Sequence, residues 1–176
     1  MRLEAMAVKI PPVEGHPNRV PFEGVLTIVN SPSDKAPSGA RGHRVMLTRT
    51  AAEEALPSLL GMAVDYRPGW DGHDARRKIG LITEATLAGN RIAVSGYLYA
   101  RDFPEVAEAI QAHAPEALGM SYELADARVE DMRADIWKLT RVTFTGAAIL
   151  LREKAAYRAT SFRMAKEQPS RKRAVA

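Results

Sequence analysis

Residues 78–99 have the sequence KIGLITEATLAGNRIAVSGYLY. The runs 78–86 and 91–99 are rich in Ile, Val, Thr and Tyr, which are residue types favoured in strands. The four residues between them end in Gly-Asn, a pair that favours a tight turn. In the second run three apolar side chains fall on one face, as in a strand with one side buried: Ile92, Val94 and Leu98. The stretch therefore predicts an antiparallel hairpin.

Further strand-like runs lie on both sides of this hairpin. Two helices are also expected, one starting at the capping-box spacing of Thr50 and Glu53 and one with Asp102 as its N-cap. Strands outnumber helices, and no alternating β-α-β pattern occurs. The sequence predicts an α+β fold, a single domain with a mainly antiparallel sheet or small barrel and a few surrounding helices. The additional strands are expected near these residues: 22–29, 44–48, 117–125 and 137–150.

Composition narrows the class of protein. The chain has 176 residues, of which 46% are hydrophobic and 26% charged, as in one soluble domain of ordinary size. The lack of cysteine excludes a disulfide framework, a thiolate metal site and a cysteine nucleophile. No apolar run reaches the roughly 18–20 residues that span a bilayer, and no secretory signal pattern is present at the N-terminus. We expect an intracellular protein without a membrane partner.

Proline and charge divide the chain into three parts. Residues 1–21 contain four prolines and are expected to form a lead without regular structure. Residues 22–162 are expected to form the domain. From Arg152 onward there are eight Lys or Arg against two Asp or Glu, so the net charge of +4 comes from the C-terminal end. We expect residues 163–176 to form a basic, disordered tail that binds nucleic acid at most weakly. Residues from about Gln168 onward are expected to be dispensable for folding.

Of the four histidines, His73 is the candidate for chemistry. It lies in residues 64–74, VDYRPGWDGHD, a turn-rich segment that leads into the predicted hairpin. Loops held against a sheet commonly carry functional residues, and imidazole titrates near neutral pH. The carboxylates of this segment are also metal ligands by type, but their spacing fits no defined metal motif. We expect no metal and no cofactor.

Ser121 is the candidate nucleophile among many serines. It lies in LGMSYEL, residues 118–124, where strand alternation places Gly119, Ser121 and Glu123 on one face. A small polar residue on a solvent-facing side of a strand explains it equally well. Position 123 is Glu rather than Gly, so the nucleophile elbow of the α/β-hydrolases is absent. From the residues alone, a Ser–His hydrolase is one open alternative.

Several short motifs follow one another along residues 60–150. They are LGMAVD at 60–65, DGH at 71–73, KIG at 78–80, DFPE at 102–105, LGMSYE at 118–123 and FTGAAIL at 144–150. In this order and spacing they resemble the capsid maturation (prohead) proteases of tailed bacteriophages, which are similar in fold to the herpesvirus assemblin proteases. The resemblance covers about residues 22–162. It implies a serine endopeptidase that cleaves scaffold and major capsid protein inside the assembling prohead, in the host bacterial cytoplasm.

The resemblance also implies that His73 and Ser121 form the catalytic pair. A serine hydroxyl needs a base to take its proton, and neutral imidazole is suitable at pH 7. We expect the two groups about 2.6–3.2 Å apart, or further without substrate. Relatives place a third group on a strand after the serine, but residues 139–142 contain no acid. Asp135, just upstream, is the nearest substitute, and Asp74, beside the base, is another.

Two other functions stay open. One is a non-enzymatic capsid-assembly or scaffold-like protein that retains the protease fold, and the missing family acid favours it. The other is a nucleic-acid-binding module driven by the basic tail, but the near-neutral body and few aromatic residues limit this to weak, non-specific binding. Self-association is compatible with each of these functions.

Overall fold

The computed structural model describes residue 16 and residues 18–165, so the predicted tail from residue 166 and nearly all of the lead before residue 18 lie outside the described residues. No helix in this described part of the chain is long and apolar enough to cross a membrane. The described residues form eight strands, two α-helices and one short 3-10 helix. In chain order they are β1 (Arg19–Ile28), β2 (Arg44–Leu47), α1 (Arg49–Ala55), the 3-10 helix (Leu56–Leu59), β3 (Ala63–Tyr66), β4 (Lys78–Ala88), β5 (Arg91–Tyr99), α2 (Pro104–Ala112), β6 (Leu118–Val129), β7 (Ile136–Leu151) and β8 (Ser161–Met164).

The eight strands form one sheet in which β7 is the central element. β7 pairs with β6 in antiparallel fashion on one edge and with the short strands β2 and β3 in parallel on the other. From β3 the sheet continues through β4, β5, β1 and β8 in antiparallel pairs. β1 also contacts β6, although the two are far apart in this order, so the sheet curls. The predicted α+β class with a mainly antiparallel sheet is confirmed.

The hairpin that the sequence predicts is present as β4 and β5. β4 extends to Ala88 rather than ending at residue 86, which leaves Gly89 and Asn90 as a two-residue turn. Gly89 has φ = +61°, a left-handed conformation that glycine adopts without steric cost. The two strands are paired along most of their length, with one shift of register between Ile82 and Glu84.

Both helices begin at different residues from those predicted. α1 begins at Arg49 because Thr48, not Thr50, is its N-cap: the Thr48 hydroxyl accepts from the backbone N–H of Ala51 and donates to the carbonyl of Leu139 on β7. This second bond fixes the helix start to the sheet.

α2 begins at Pro104 with Phe103 at the N-cap, and no side chain caps it. Proline suits the first helical turn because its missing N–H has no helical partner there in any case. The expected cap, Asp102, accepts a hydrogen bond at 2.7 Å from the Asn18 side chain instead.

Four further strand features differ from the sequence prediction. β6 ends at Val129 rather than near residue 125. β3 overlaps the segment expected to be a loop, and it is recognised as a strand only through its pairing with β4 and β7. β1 begins at Arg19, three residues before its expected start, and includes Pro21, whose carbonyl accepts from Ala165 beyond the end of β8. Proline is tolerated where no ladder N–H is required. β8 extends to Met164, two residues into the stretch expected to be tail.

The main core lies on one face of the curled sheet, and a smaller cluster lies on the other. Alternation along β7 places Ala147 and Ile149 in the main core and Ala148 and Leu150 on the opposite face. Ala155 covers the opposite face next to them. This second face, at the C-terminal half of β7, carries the candidate site.

Candidate functional site

The loop between β3 and β4 carries His73 and is held in place by Trp70. Trp70 has φ = +57°, and its N–H donates to the carbonyl of Arg67 at 2.8 Å to close a turn. Its carbonyl accepts from the N–H of Leu151 at the end of β7, also at 2.8 Å. The indole packs against the rings of Tyr66 and His113. These contacts fix the loop to the sheet, so His73 is supported by the scaffold.

Asp65 on β3 is the carboxylate next to His73. Its side chain is fully buried, and His73 Nδ1 lies 3.5 Å from its Oδ1. The same Oδ1 accepts from the backbone N–H of Asp74 at 3.2 Å, and Oδ2 accepts from Lys78 Nζ at 2.9 Å. A buried carboxylate is stable only when such partners satisfy it. Both of its oxygens are therefore engaged, one towards the imidazole and one towards a lysine.

The surroundings of Asp65 keep it ionised. Burial alone would raise the pKa of its carboxyl, but hydrogen bonding from His73 and Lys78 and the attraction of their charges outweigh burial and leave the pKa below its usual value. At neutral pH the group is a carboxylate, which can accept a hydrogen bond from Nδ1–H of His73. That bond would leave Nε2 of the same ring unprotonated and able to act as a base.

The sheet register places Ser121 and Asp65 in one row. Ser121 on β6 is the register partner of Ala148 on β7, which is in turn the partner of Asp65 on β3; Lys78 on β4 continues the row. Directly paired residues carry their side chains on the same face of a sheet. Because neighbouring strands lie about 4.8 Å apart, the backbones at Ser121 and Asp65 are about 9–10 Å apart, with only the methyl group of Ala148 between them.

This spacing suits an imidazole bound at both ends. A ring that contacts Asp65 through Nδ1 has its Nε2 directed away from the carboxylate, and hydrogen bonds of about 2.7–3.2 Å at each end would complete a bridge across one strand. His73 is 17% exposed, and neither Nδ1 nor Nε2 has a hydrogen-bond partner within the described part of the chain. The bond to the Ser121 hydroxyl that the sequence predicts is therefore not formed in this structure. Such bonds are often long or poorly aligned without substrate.

His73 and Ser121 line the same cleft, which has a volume of about 960 Å³. Four consecutive residues of β6, from Ser121 to Leu124, border it. Since successive strand side chains point to opposite faces, a cleft that contacts four in a row runs along the edge of the strand. Among the described residues β6 pairs only with β7, so its other edge presents unpaired backbone groups.

Comparisons with known proteins add a structural neighbour. No family profile matches the sequence, and no curated protein does. The KSHV protease, whose crystal structure was solved in complex with a hexapeptide phosphonate inhibitor, has a similar structure. The two chains are 10% identical and superpose with a TM-score of 0.47 over 84% of this chain and 66% of that protease. This chain thus spans slightly less than two thirds of its neighbour's length.

The two carboxylates that the sequence suggested as third members lie elsewhere. Asp135 is exposed in the turn before β7 and is not among the residues that line the cleft. Asp74 follows His73, but its carboxylate binds Arg76 at 3.1 Å and Arg77 at 3.5 Å. The hydrogen bonds from Arg76 hold the pKa of that carboxyl below its usual value. Its backbone N–H, not its side chain, contributes to the His73 environment.

From the sequence, Asp65 is only one of several carboxylates in a turn-rich segment. The signal that could have distinguished it is the apolar pair Ala63 and Val64 before it, which marks a short buried strand ending in an acid. No group of three or more His, Asp or Glu within residues 18–165 is arranged to hold a metal ion.

Proposed function

We propose that this protein is a serine endopeptidase in which Ser121 is the nucleophile, His73 the general base and Asp65 the group that orients the imidazole. The proposal keeps the pair that the resemblance implies and gives the third role to Asp65 rather than to Asp135 or Asp74. Cleavage of an extended peptide chain fits a cleft that runs along a free strand edge, because such edges bind peptides by adding a strand.

One observation carries this proposal. Ser121, Ala148 and Asp65 are consecutive partners across three strands, and His73 Nδ1 lies 3.5 Å from the carboxylate end of that row. Neither ring nitrogen of His73 has a hydrogen-bond partner within residues 18–165. Buried ring nitrogens without partners are costly, and their presence beside a cleft lined by Ser121 supports a catalytic role for His73 over a purely structural one.

The proposed chemistry follows from these positions. As the Ser121 oxygen bonds to the peptide carbonyl carbon, its proton passes to Nε2 of His73, and Asp65 stabilises the imidazolium that forms. The same proton then passes to the departing amine as the peptide C–N bond breaks, which leaves an acyl group on Ser121. A water molecule, deprotonated by His73, hydrolyses this ester and restores the serine hydroxyl.

The substrates we propose are the scaffold and major capsid protein of a tailed-phage prohead. This part of the proposal is supported by the motif resemblance over residues 22–162, since the cleft itself does not distinguish one extended peptide from another. We further propose that the protein acts in the bacterial host cytoplasm, within the assembling head.

A fluorophosphonate serine probe tests the catalytic assignment directly. We expect the wild type to take up one probe molecule, mapped by mass spectrometry to the peptide that contains Ser121. Ser121→Ala should lose labelling with an unchanged Tm, because a partly exposed hydroxyl contributes little to stability. Ser95→Ala, on β5 outside the cleft, is the matched control and should label like the wild type.

The same experiment separates the alternatives. If the folded wild type takes up no probe, or takes it up equally in Ser121→Ala, the endopeptidase proposal is wrong. A non-enzymatic capsid-assembly protein with the same fold would then be the better description.

A further inference from the structure

The cleft does not end at the catalytic pair. It continues along β6 and β7 to a second, apolar end that is lined by Val129, Met132 and Trp137. Val129 lies eight positions after Ser121 on β6, which at about 3.3 Å per residue corresponds to roughly 25 Å. The bulges in this part of β6 shorten the span somewhat. A cleft of this length holds many more residues than the two that flank a scissile bond.

The apolar end is built around a fixed indole. Trp137 is 7% exposed, and its Nε1–H donates to the carbonyl of Met132 at 3.3 Å. On its face it stacks with the ring of His43, with the ring centres 4.5 Å apart and the planes 15° from parallel. An aromatic side chain held in this way offers a rigid apolar wall.

Met132 makes this end accessible to a ligand. It is 51% exposed, and in the described residues only Leu60, at 50%, is comparable among the large apolar residues. Methionine is flexible and polarizable, so it adapts to apolar groups of different shape. When an apolar side chain binds beside Met132 and the fixed indole, apolar surface on both partners is removed from water, and this favours binding.

We propose that this end of the cleft is a specificity subsite for an apolar side chain of the substrate, located about six to nine residues on the N-terminal side of the cleaved bond. The inference rests on the proposed function, since it assumes that Ser121 marks the cleaved bond. Its occupant is an extended peptide segment, because the cleft joins the subsite to Ser121 along the free edge of β6.

The polarity follows from strand pairing. β6 runs from Ser121 towards Val129, and an added strand pairs slightly more stably in the antiparallel direction than in the parallel one. An antiparallel peptide runs from the apolar end towards Ser121. The residue bound at Met132 therefore precedes the cleaved bond.

The test uses a synthetic library of randomised peptides, each about 20 residues long so that it can span the cleft, with the full-length protein, and reads cleavage positions by mass spectrometry. Met132→Asp places a charge in the subsite, and Leu60→Asp is the matched control, since Leu60 is equally exposed but lies outside the cleft. We expect wild-type cleavage products to show an apolar residue enriched at one position about six to nine residues before the cut. Met132→Asp should lose that enrichment and reduce kcat/KM on long peptides about 10-fold, mainly through KM.

Short peptides separate the subsite from the catalytic centre. For peptides truncated to about four residues before the cleaved bond, too short to reach Met132, kcat/KM should be the same in Met132→Asp and the wild type. The inference is overturned if no position beyond the fourth is selected, or if Met132→Asp and Leu60→Asp behave alike.

A binding measurement keeps the inference testable if the protein hydrolyses nothing. Immobilised Ser121→Ala and the double variant Ser121→Ala/Met132→Asp are exposed to the same library, and the retained peptides are sequenced. Enrichment of apolar residues by the first and not by the second supports the subsite even where the endopeptidase proposal fails. Equal pools from the two proteins overturn it.

Discussion

Lys78 and His73 lie at opposite oxygens of the same buried carboxylate, Asp65. The lysine donates to Oδ2 at 2.9 Å, and the imidazole Nδ1 lies 3.5 Å from Oδ1. Burial alone would raise the pKa of the Asp65 carboxyl, and the hydrogen bond and positive charge of Lys78 are among the contacts that lower it. Lys78 therefore helps to keep Asp65 ionised beside the ring.

The first prediction concerns the cation that helps to keep Asp65 ionised. Lys78→Met leaves Oδ2 of this buried carboxylate without its hydrogen-bond donor and without the attraction of a positive charge. We expect a loss of about 1–3 kcal/mol in the free energy of unfolding at neutral pH. The measurement is urea unfolding of the variant and the wild type.

A charge-matched control accompanies this variant. Lys138→Met also breaks one ion pair, with Glu130 at 3.2 Å, but at the other end of β7. Because both partners are exposed, its free energy of unfolding should stay within about 0.5 kcal/mol of the wild type. Equal losses of stability in the two variants would contradict the role given to Lys78.

The second prediction concerns the third member. Asp65→Asn retains the shape of the side chain but loses its charge, so it no longer stabilises the imidazolium. We expect the labelling rate to fall by about 10²–10⁴-fold. Asp74→Asn and Asp135→Asn should remain within about 3-fold of the wild type, because neither carboxylate contacts the ring. A large loss in either of these, with Asp65→Asn unaffected, would return the role to that residue.

The third prediction follows from the lowered pKa of Asp65. Its pKa is lower in the folded than in the unfolded chain, so its ion pairs stabilise the fold at pH values above the unfolded value, near 3.8. That stabilisation is lost as the pH falls through the lower folded value. We therefore expect the Tm difference between wild type and Asp65→Asn to be largest near about pH 6–7 and to shrink below about pH 4. A difference that is constant down to about pH 3 would show that the carboxylate charge contributes nothing.

The fourth prediction concerns the space above Ala148. Ala148→Val adds two methyl groups between Ser121 and the carboxylate, where the imidazole must lie. We expect a loss of stability of about 1–3 kcal/mol from overpacking and, at a temperature where the variant is fully folded, a loss of most fluorophosphonate labelling.

Ala147→Val provides the comparison for this variant. Ala147 is the preceding residue, is equally buried, and faces the main core. It should lose a similar amount of stability, measured by urea unfolding, and retain labelling. If both variants label alike, the space above Ala148 is not part of the site.

The elements that the sequence predicts well are those with local causes. Alternating apolar residues and the Gly89-Asn90 turn specify β4 and β5 within a single stretch, and the apolar spacing of Val106 and Ile110 specifies α2. β3 is not predicted from the sequence because it has four residues, lies in a turn-rich segment, and is a strand only through pairing with β4 and β7. The parallel pairing of β2 and β3 with β7 is not predicted either, because no local pattern encodes a partner that lies so far along the chain.

The candidate site is also only partly predictable from the sequence. His73 is recognisable from its residue type and its loop, while Ser121 required the resemblance, because alternation alone fits a solvent-facing serine. The choice of Asp65 over Asp74 depends on which carboxylate is buried against Ala148 and Lys78. That is a property of the assembled sheet, and the short stretch of sequence between Asp65 and His73 does not reveal it.

The parallel pairing of β3 with β7 also determines when the site can exist. Asp65 and His73 come from one short stretch, but Ser121 reaches them only through β7, whose paired residues follow β3 by more than 80 positions. Closing so long a loop is slow and late compared with forming a hairpin. If the proposed function is correct, a chain still emerging from the ribosome lacks an assembled site, and hydrolysis can begin only once synthesis has passed the end of β7. The order of assembly itself would protect the nascent protein from premature cleavage.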